Sequence, residues 1–291
     1  MNYLFQFFVV QVLFSLLNLV PLSISGWFIE RVGDMFYFFS PKRRNIALDN
    51  LTIVYGESLS LHEKKRITRK CFENGALSIM ELFLIKKIKK NASRCFALTG
   101  QKHFEEAFSR GKGVVFVASH LGSWEFIGFA GYLQHVPHAV IVKKLKNKYL
   151  DEVIDGLRRE IDSVPIPKVN AIRQTLSELH QNHGVGVLID QWAGPEGIWI
   201  DFCGKATSTT SLPARIAKKT GCALIPIYCL RKKIGQYELQ VLPEVPLPES
   251  PDWENQTTKF LNAGLEAKIR EYPEQWSWGH RRWKLKPLTN R

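Results

Sequence analysis

With 291 residues, 45% of them hydrophobic, the chain is long enough for one large domain with a sizeable core. Its 40 basic against 27 acidic side chains give a formal charge of +13, which favours an anionic partner: nucleic acid, an acidic carrier protein, phosphorylated small molecules or an anionic membrane surface. Five scattered cysteines in no CxxC spacing (Cys71, Cys95, Cys203, Cys222, Cys229) exclude a disulfide framework and a ribbon-type metal site, and read as reduced thiols in a cytosol-facing domain.

Residues 1–29 carry no charged side chain, and Leu4 to Val20 is apolar apart from Gln6, Gln11, Ser15 and Asn18. A cleaved signal would show an early Lys or Arg and a small-residue cleavage site, and neither is present. Seventeen helical residues span about 25 Å, slightly less than the hydrocarbon core of about 30 Å. Continuation through a kink at Pro21 to Ile29 supplies the difference. Residues 1–30 therefore read as a membrane-anchoring helix, transmembrane or lying in the interface, the alternative being a core helix. Arg31, Lys42, Arg43 and Arg44 follow it and place the rest of the chain, 31–291, on the cytoplasmic side.

Ser60 with Glu63 is a capping box, and Ile67, Cys71, Leu77, Ile79, Leu82 and Ile85 then recur at helical spacing, so the chain up to about residue 90 reads as helical. From residue 95, short apolar runs alternate with helical stretches. Strands are expected at Phe96–Leu98, Val114–Val117, Ala139–Val142, Val185–Ile189, Leu224–Cys229 and Tyr237–Val241. Helices are expected at 101–110, 124–134, 147–160, 170–182, 211–219 and 256–270. The fold class is α/β: a mostly parallel central sheet flanked by helices, with the later strands candidates for antiparallel pairing, plus the N-terminal helical anchor.

The run GVVFVASHLGSWEF, Gly113 to Phe126, reads as a buried strand, a tight turn and a helix start. It puts His120 at a strand's carboxyl end, where α/β sheets bind ligands. Glu125 is close enough along the turn to fix one imidazole tautomer and leave the other nitrogen free as a general base. Asp190 ends another apolar strand and is expected at the same rim. The loop after it carries Trp192, Ile198, Trp199 and Ile200, suited either to an acyl chain or to packing on the core. Ser208, Thr209, Thr210 and Ser211 precede a helical stretch, whose first N–H groups either cap an anion or are simply N-capped. KKLKNKYLDEVIDGLRRE (143–160) offers phosphate-clamping charges or an ordinary solvated helix face. EQWSWGHRRWK (274–284) mixes tryptophan with basic residues, a pattern that suits base stacking or a membrane interface.

Taken together and in order, HLGSWE, the DQWAGPEG…DFCGKATSTT block, the terminal HRRWK, the hydrophobic amino terminus and Asn50-Leu51 resemble the bacterial lipid A biosynthesis (lauroyl/myristoyl) acyltransferase family. That family belongs to the lysophospholipid acyltransferase superfamily with its H-x4-D/E motif. The resemblance implies an inner-membrane enzyme that moves a fatty acyl group from acyl carrier protein, with acyl-CoA an alternative donor, to a hydroxyl of a lipid A precursor or of one of its acyl chains. His120 would be the base and Glu125 its orienting partner. Arg158, Asp190, Asn147, Gln191, Ser208 and Thr209 would bind substrate. No cofactor, no metal and no nucleic-acid partner is expected. The expected partners are the carrier protein, a phosphorylated glycolipid and the inner membrane. Ser123 stands where the family commonly has Asn, and Cys203 replaces a usual aromatic. GPEGIW lacks the Thr-Arg of the glycerolipid branch, which argues against glycerol-3-phosphate as acceptor. Two other readings use Cys203 as an acyl-accepting nucleophile, or make the chain a non-catalytic, membrane-anchored lipid-binding protein. Acylation of other membrane glycolipids or phospholipids from acyl-CoA is a further alternative.

Overall fold

The computed structural model describes residues 3–169 and 171–284. The amino terminus is two helices, α1 (Tyr3–Leu19) and α2 (Leu22–Phe39). Pro21 separates them because it has no N–H to donate into a continuing ladder. The break is well satisfied: Ser25 Oγ donates to Leu17 O at 2.8 Å, and Lys87 Nζ donates to Val20 O. Two helices thus stand where a single one over 1–30 was expected, and none of the helices described is long and apolar enough to cross a membrane, so a transmembrane helix is not found among the described residues. Both helices nevertheless present large apolar side chains outward, among them Phe5, Phe8, Val12, Leu16, Trp27 and Phe39.

α2 lies against α4 (Leu61–Met80), with α3 (Pro41–Tyr55) between them in sequence. Asp34 accepts from Arg69 Nε at 2.6 Å and pairs with Arg31 at 2.9 Å. At the crossing, a Cβ on Gly33 would lie 2.5 Å from the Glu73 Cα, so only glycine permits this approach. The capping box at Ser60 and Glu63 is formed.

Nine strands follow among the described residues: β1 (Phe96–Thr99), β2 (Val114–Ala118), β3 (His138–Val142), β4 (Ser163–Pro167), β5 (Gly184–Leu188), β6 (Ile198–Phe202), β7 (Lys205–Thr209), β8 (Ala223–Lys233) and β9 (Gln236–Val241). Seven form one sheet in the order β1-β9-β8-β2-β5-β3-β4, and only the β8–β9 pairing is antiparallel. All six expected strands are present. β4 was not expected, because Pro165 and Pro167 argue against a central strand. It occupies the sheet's edge, where missing donors are tolerated. β6 and β7 form a separate antiparallel hairpin in the stretch read as a loop. Its two turn residues, Cys203 (φ 55°) and Gly204 (φ 79°), both have the left-handed backbone that a tight two-residue hairpin needs.

β2 is buried along its whole length, as a central strand covered on both faces should be. Val115 and Val117 face the core that holds helices 212–220 and 253–271. Val114, Phe116 and Ala118 face the other core, shared with α1, α2 and the segment 124–133. The candidate site opens on this second face.

Candidate functional site

Parallel pairing sets Ala118 of β2 beside Leu188 of β5. The ladder continues one step further through Ile189 N–H to Ala118 O at 3.1 Å. His120 and Asp190, each two residues beyond that pair, therefore emerge side by side at the sheet's carboxyl rim, although 70 positions separate them. Asp190 Oδ1 bonds Nδ1 of His120 at 2.8 Å. Asp190 Oδ2 accepts the His120 backbone N–H at 2.9 Å and the Trp276 indole N–H at 2.9 Å. Burial alone would raise the Asp190 pKa, but the imidazole's charge and these donors hold it down at about 2. For His120, burial lowers the pKa and the Asp190 charge and hydrogen bond more than offset it, leaving it above 6.5.

Nε2 of His120 lies 3.3 Å from the amide nitrogen of Gln191, an exposed side chain. With the carboxylate on Nδ1, the proton belongs on Nδ1 and Nε2 is the free acceptor. This is the state of a general base. The partner differs from the one expected: both Glu125 oxygens accept from Arg158, at 3.0 Å from Nε and 2.9 Å from Nη2. Asp190 is the carboxylate on the imidazole, because strand register brings it to Nδ1 while the short helical turn Trp124–Phe126 aims Glu125 at helix Lys148–Arg159. Arg158 is further held by Asp155 at 3.1 Å, and Lys144 by Asp155 at 2.6 Å.

The turn carrying His120 is fixed from below. Gly122 (φ 65°) donates to Gln275 O at 3.0 Å, and a Cβ there would sit 2.1 Å from Cys229 O. Ser123 donates to Cys229 O through its N–H, and through Oγ to Glu81 at 2.9 Å. Ser123 thus belongs to a fully enclosed network in which Glu81 also takes two bonds from Arg231 and one from Tyr237.

From His120 a partly open cavity of about 190 Å³ runs along the sheet face. Glu125, Arg158 and Lys143 line it together with apolar groups such as Ala118, Ile127, Val140 and Val142. β5 reads Gly-Val-Gly-Val-Leu; strand alternation puts Val185 and Val187 in the opposite core and both glycines on the cavity side. A Cβ on Gly186 would meet nothing nearer than 3.7 Å, so the missing side chain keeps the cavity open there.

The other expected residues have different surroundings. Asn147 caps helix Lys148–Arg159, accepting from Tyr149 N at 3.2 Å, and ties it to α1 by donating to Tyr3 O at 3.0 Å. Ser208 and Thr209 are fully buried in β7. Ser208 Oγ donates to Gly194 O, and Thr209 Oγ1 accepts from Arg282 at 2.6 Å. They fasten the hairpin and do not present an anion site at helix Leu212–Thr220. Trp199 is half-buried and Ile200 buried against the core. The carboxyl-terminal tryptophans are also interior: Trp276 and Trp278 are buried, and Arg282, wholly enclosed, donates to Gln191 O at 3.1 Å and Ser208 O at 2.6 Å. Burial lowers the Arg282 pKa to about 10. The Cys203 thiol is pushed up to about 12 by burial and by the Glu266 charge, which removes it as a nucleophile near neutral pH. Trp276 is the site residue that sequence reasoning missed; its W-x-W spacing carries no sign of which residue the indole reaches.

Comparison with known proteins matches residues 1–285 to the family profile of bacterial lipid A biosynthesis acyltransferases. The chain is 27% identical over 178 residues to the phosphatidylinositol mannoside acyltransferase of Mycolicibacterium smegmatis, covering 60% of this chain and 58% of that protein, under two thirds of its length. It is 24% identical over 278 residues to the lipid A biosynthesis palmitoleoyltransferase of Escherichia coli K12, covering 92% of this chain and 88% of that one. Against the lipid A biosynthesis lauroyltransferase of the same organism it is 24% identical over 260 residues, covering 88% and 84%.

Proposed function

Since the chain belongs to the bacterial lipid A biosynthesis acyltransferase family, a family of O-acyltransferases, we propose that it moves a fatty acyl group from the thioester of acyl carrier protein to a hydroxyl of a lipid A precursor, with His120 as general base. The observation that carries this is the position of Nε2: a base held by a buried carboxylate and lining a partly open, largely apolar cavity. The acceptor hydroxyl displaces the Gln191 amide and gives its proton to Nε2 as its oxygen attacks the thioester carbonyl carbon. The carbon–sulfur bond then breaks, and the departing thiolate takes a proton from the imidazolium. Asp190 stabilises that imidazolium. Glu125 and Arg158 form a rigid, mutually neutralised pair at the cavity mouth, and the acyl chain lies along β2, β3 and β5.

The apolar outer faces of α1 and α2 support residence at the inner membrane, and Arg31, Lys42, Arg43 and Arg44 support a site on the cytoplasmic side. Exposed apolar side chains in such number suit contact with lipid acyl chains. Lys143 at the mouth, with exposed Lys146 and Lys148 beside it, supports an acceptor that carries phosphate. The similarity to mannoside acyltransferases favours a second acceptor class, the sugar hydroxyl of another membrane glycolipid. Mass spectrometry of lipids from cells with and without the gene decides between them. A lipid A lighter by one acyl chain in the deletion supports the first reading, and unchanged lipid A with an under-acylated glycolipid supports the second. No change in either lipid would defeat both.

A further inference from the structure

The carboxyl-terminal strap holds the catalytic turn on both sides of Trp276. Gln275 O receives the Gly122 N–H at 3.0 Å, and the Ser277 N–H donates to His120 O at 3.0 Å, so that Leu121 and Trp276 form an antiparallel bridge. Between these two bonds the Trp276 side chain turns inward and donates Nε1–H to Asp190 Oδ2 at 2.9 Å. The indole itself is immobilised. It is 2% exposed and packs edge-on against Trp278 with centroids 4.6 Å apart. Trp278 in turn donates to Pro273 O at 2.6 Å, and its carbonyl accepts from Asn50 at 2.7 Å.

We propose that Trp276 is a positioning residue for acyl transfer, its indole N–H locking the Asp190 carboxylate so that the second oxygen is aimed at His120 Nδ1. The proposal rests on His120 acting as the base. Oδ2 already takes the His120 backbone N–H at 2.9 Å. A second donor from a different direction removes the carboxylate's remaining rotation and leaves Oδ1 for the imidazole alone. The indole does a chemical task as well. As Nε2 gains the acceptor's proton, positive charge spreads over the ring, and Asp190 must stay an anion without taking the Nδ1 proton. A donor on Oδ2 makes the carboxylate less basic and keeps that proton on the ring. Because the indole is enclosed, Trp276 acts only through Asp190 and touches no substrate.

The test replaces the indole of Trp276 with benzothiophene by genetic-code expansion, which keeps the shape and deletes only the donor. Trp276→Phe serves as a second variant. Loss of one hydrogen bond should lower kcat about three- to tenfold. KM for donor and acceptor should stay within about twofold, since an interaction that matters only in the transition state lowers kcat without weakening ground-state binding. The acid limb of the pH–rate profile should move upward by a few tenths of a unit, because a more basic carboxylate raises the imidazole's affinity for its proton. An unchanged kcat overturns the proposal. So does a lowered kcat with an unmoved acid limb, which would mean that Trp276 only supports the fold. Asp190→Asn, measured in parallel, keeps the two levels apart. If that variant is inactive and the benzothiophene protein normal, Trp276 has no positioning role and His120 remains the base; if Asp190→Asn is itself near normal, the general-base reading fails.

Discussion

Asp190→Asn is the substitution that most directly separates the two carboxylates at the site. Three donors converge on Asp190, two on Oδ2 and one on Oδ1. Asparagine offers a single acceptor oxygen and an NH2 group that only donates. If its oxygen takes the Oδ1 position, two buried donors, the His120 backbone N–H and the Trp276 indole, face an NH2 group, at about 1–3 kcal/mol each. If its oxygen takes the Oδ2 position, both remain satisfied and only the imidazole must adjust, by moving its proton from Nδ1 to Nε2. The second arrangement wins. It keeps the protein folded, yet it places a hydrogen on the one nitrogen that has to receive one. A wrong-tautomer histidine in a serine-protease triad costs about 10⁴ in kcat, and a loss of about 10³–10⁴ is expected here. In the wild type, transfer should fall as the pH drops through the raised His120 pKa, so the acid limb lies above 6.5. In the variant, burial acts on the imidazole without the aspartate's compensation, and any residual activity should have its acid limb at lower pH. Single-turnover transfer from a labelled carrier-protein thioester between about pH 5 and pH 9 covers the unperturbed histidine value on both sides. A variant within tenfold of wild type, or one whose acid limb stays in place, would refute this reasoning.

Glu125→Gln leaves the Arg158 guanidinium short of a carboxylate at the cavity mouth. Because the pair is only part-buried and Arg158 keeps its bond to Asp155, the loss should be about 1–3 kcal/mol, with transfer and stability falling together, which thermal unfolding run beside the kinetics would detect; lost activity with an unchanged unfolding midpoint would point instead to direct chemistry by Glu125. Gly186→Val places branched carbon in the cavity, and its Cβ would meet Ala139 and Val140 only at ordinary contact distance. Competition among thioesters of different length, read by mass spectrometry, should shift toward shorter chains, and an unaltered product distribution would show that the chain lies elsewhere. Glu81→Gln removes the charge that Arg231 faces in a wholly enclosed network under the catalytic turn. It should destabilise the fold by about 3–5 kcal/mol in urea unfolding; a change below about 1 kcal/mol, the worth of an exposed pair, would contradict the burial argument.

Much of the sheet could be read from the chain because apolar runs such as VVFVA suit a strand covered on both faces, and their alternation with helical stretches points to an α/β arrangement. His120 stood out for the same reason: it interrupts such a run at its carboxyl end. The partner carboxylate did not, because Glu125 is near in sequence and Asp190 is near only once β2 and β5 are known to be neighbours in register. Sheet order is a non-local property, and no local pattern encodes it. The hairpin from Ile198 to Thr209 was hidden by glycine and proline on either side, although its Cys-Gly turn is what a tight hairpin requires. The terminal tryptophans were ambiguous on composition, since the same Trp and Arg residues serve an exposed interface or a buried strap. Only the enclosure of Arg282 and the bond from Trp276 to Asp190 separate these. The amino-terminal run looked like a span because apolar composition is shared by helices that cross a bilayer and helices that lie in its surface. The break at Pro21, together with the charges of Glu30, Arg31 and Asp34 in the second helix, leaves none of the described helices long and apolar enough to cross.

The arrangement of charge at the site follows from what the proposed reaction cannot tolerate. A thioester donor is already activated, so the protein has to supply a base, a place for the chain and protection from stray protons. A single carboxylate serving both His120 and the cavity mouth would have to be dry enough to bind the imidazole tightly and open enough to meet an incoming headgroup. The chain divides these demands. Asp190, 3% exposed, meets only donors of the protein, and its charge is committed to His120. Glu125 is paired with Arg158 in the cavity lining, and its charge still favours the imidazolium from a distance. Positive charge is supplied by exposed lysines, Lys143 among them, where it can attract an anionic acceptor. On this view, adding a carboxylate near Lys143 should weaken acceptor binding and leave the acid limb in place, whereas altering Trp276 should move the acid limb and leave binding alone.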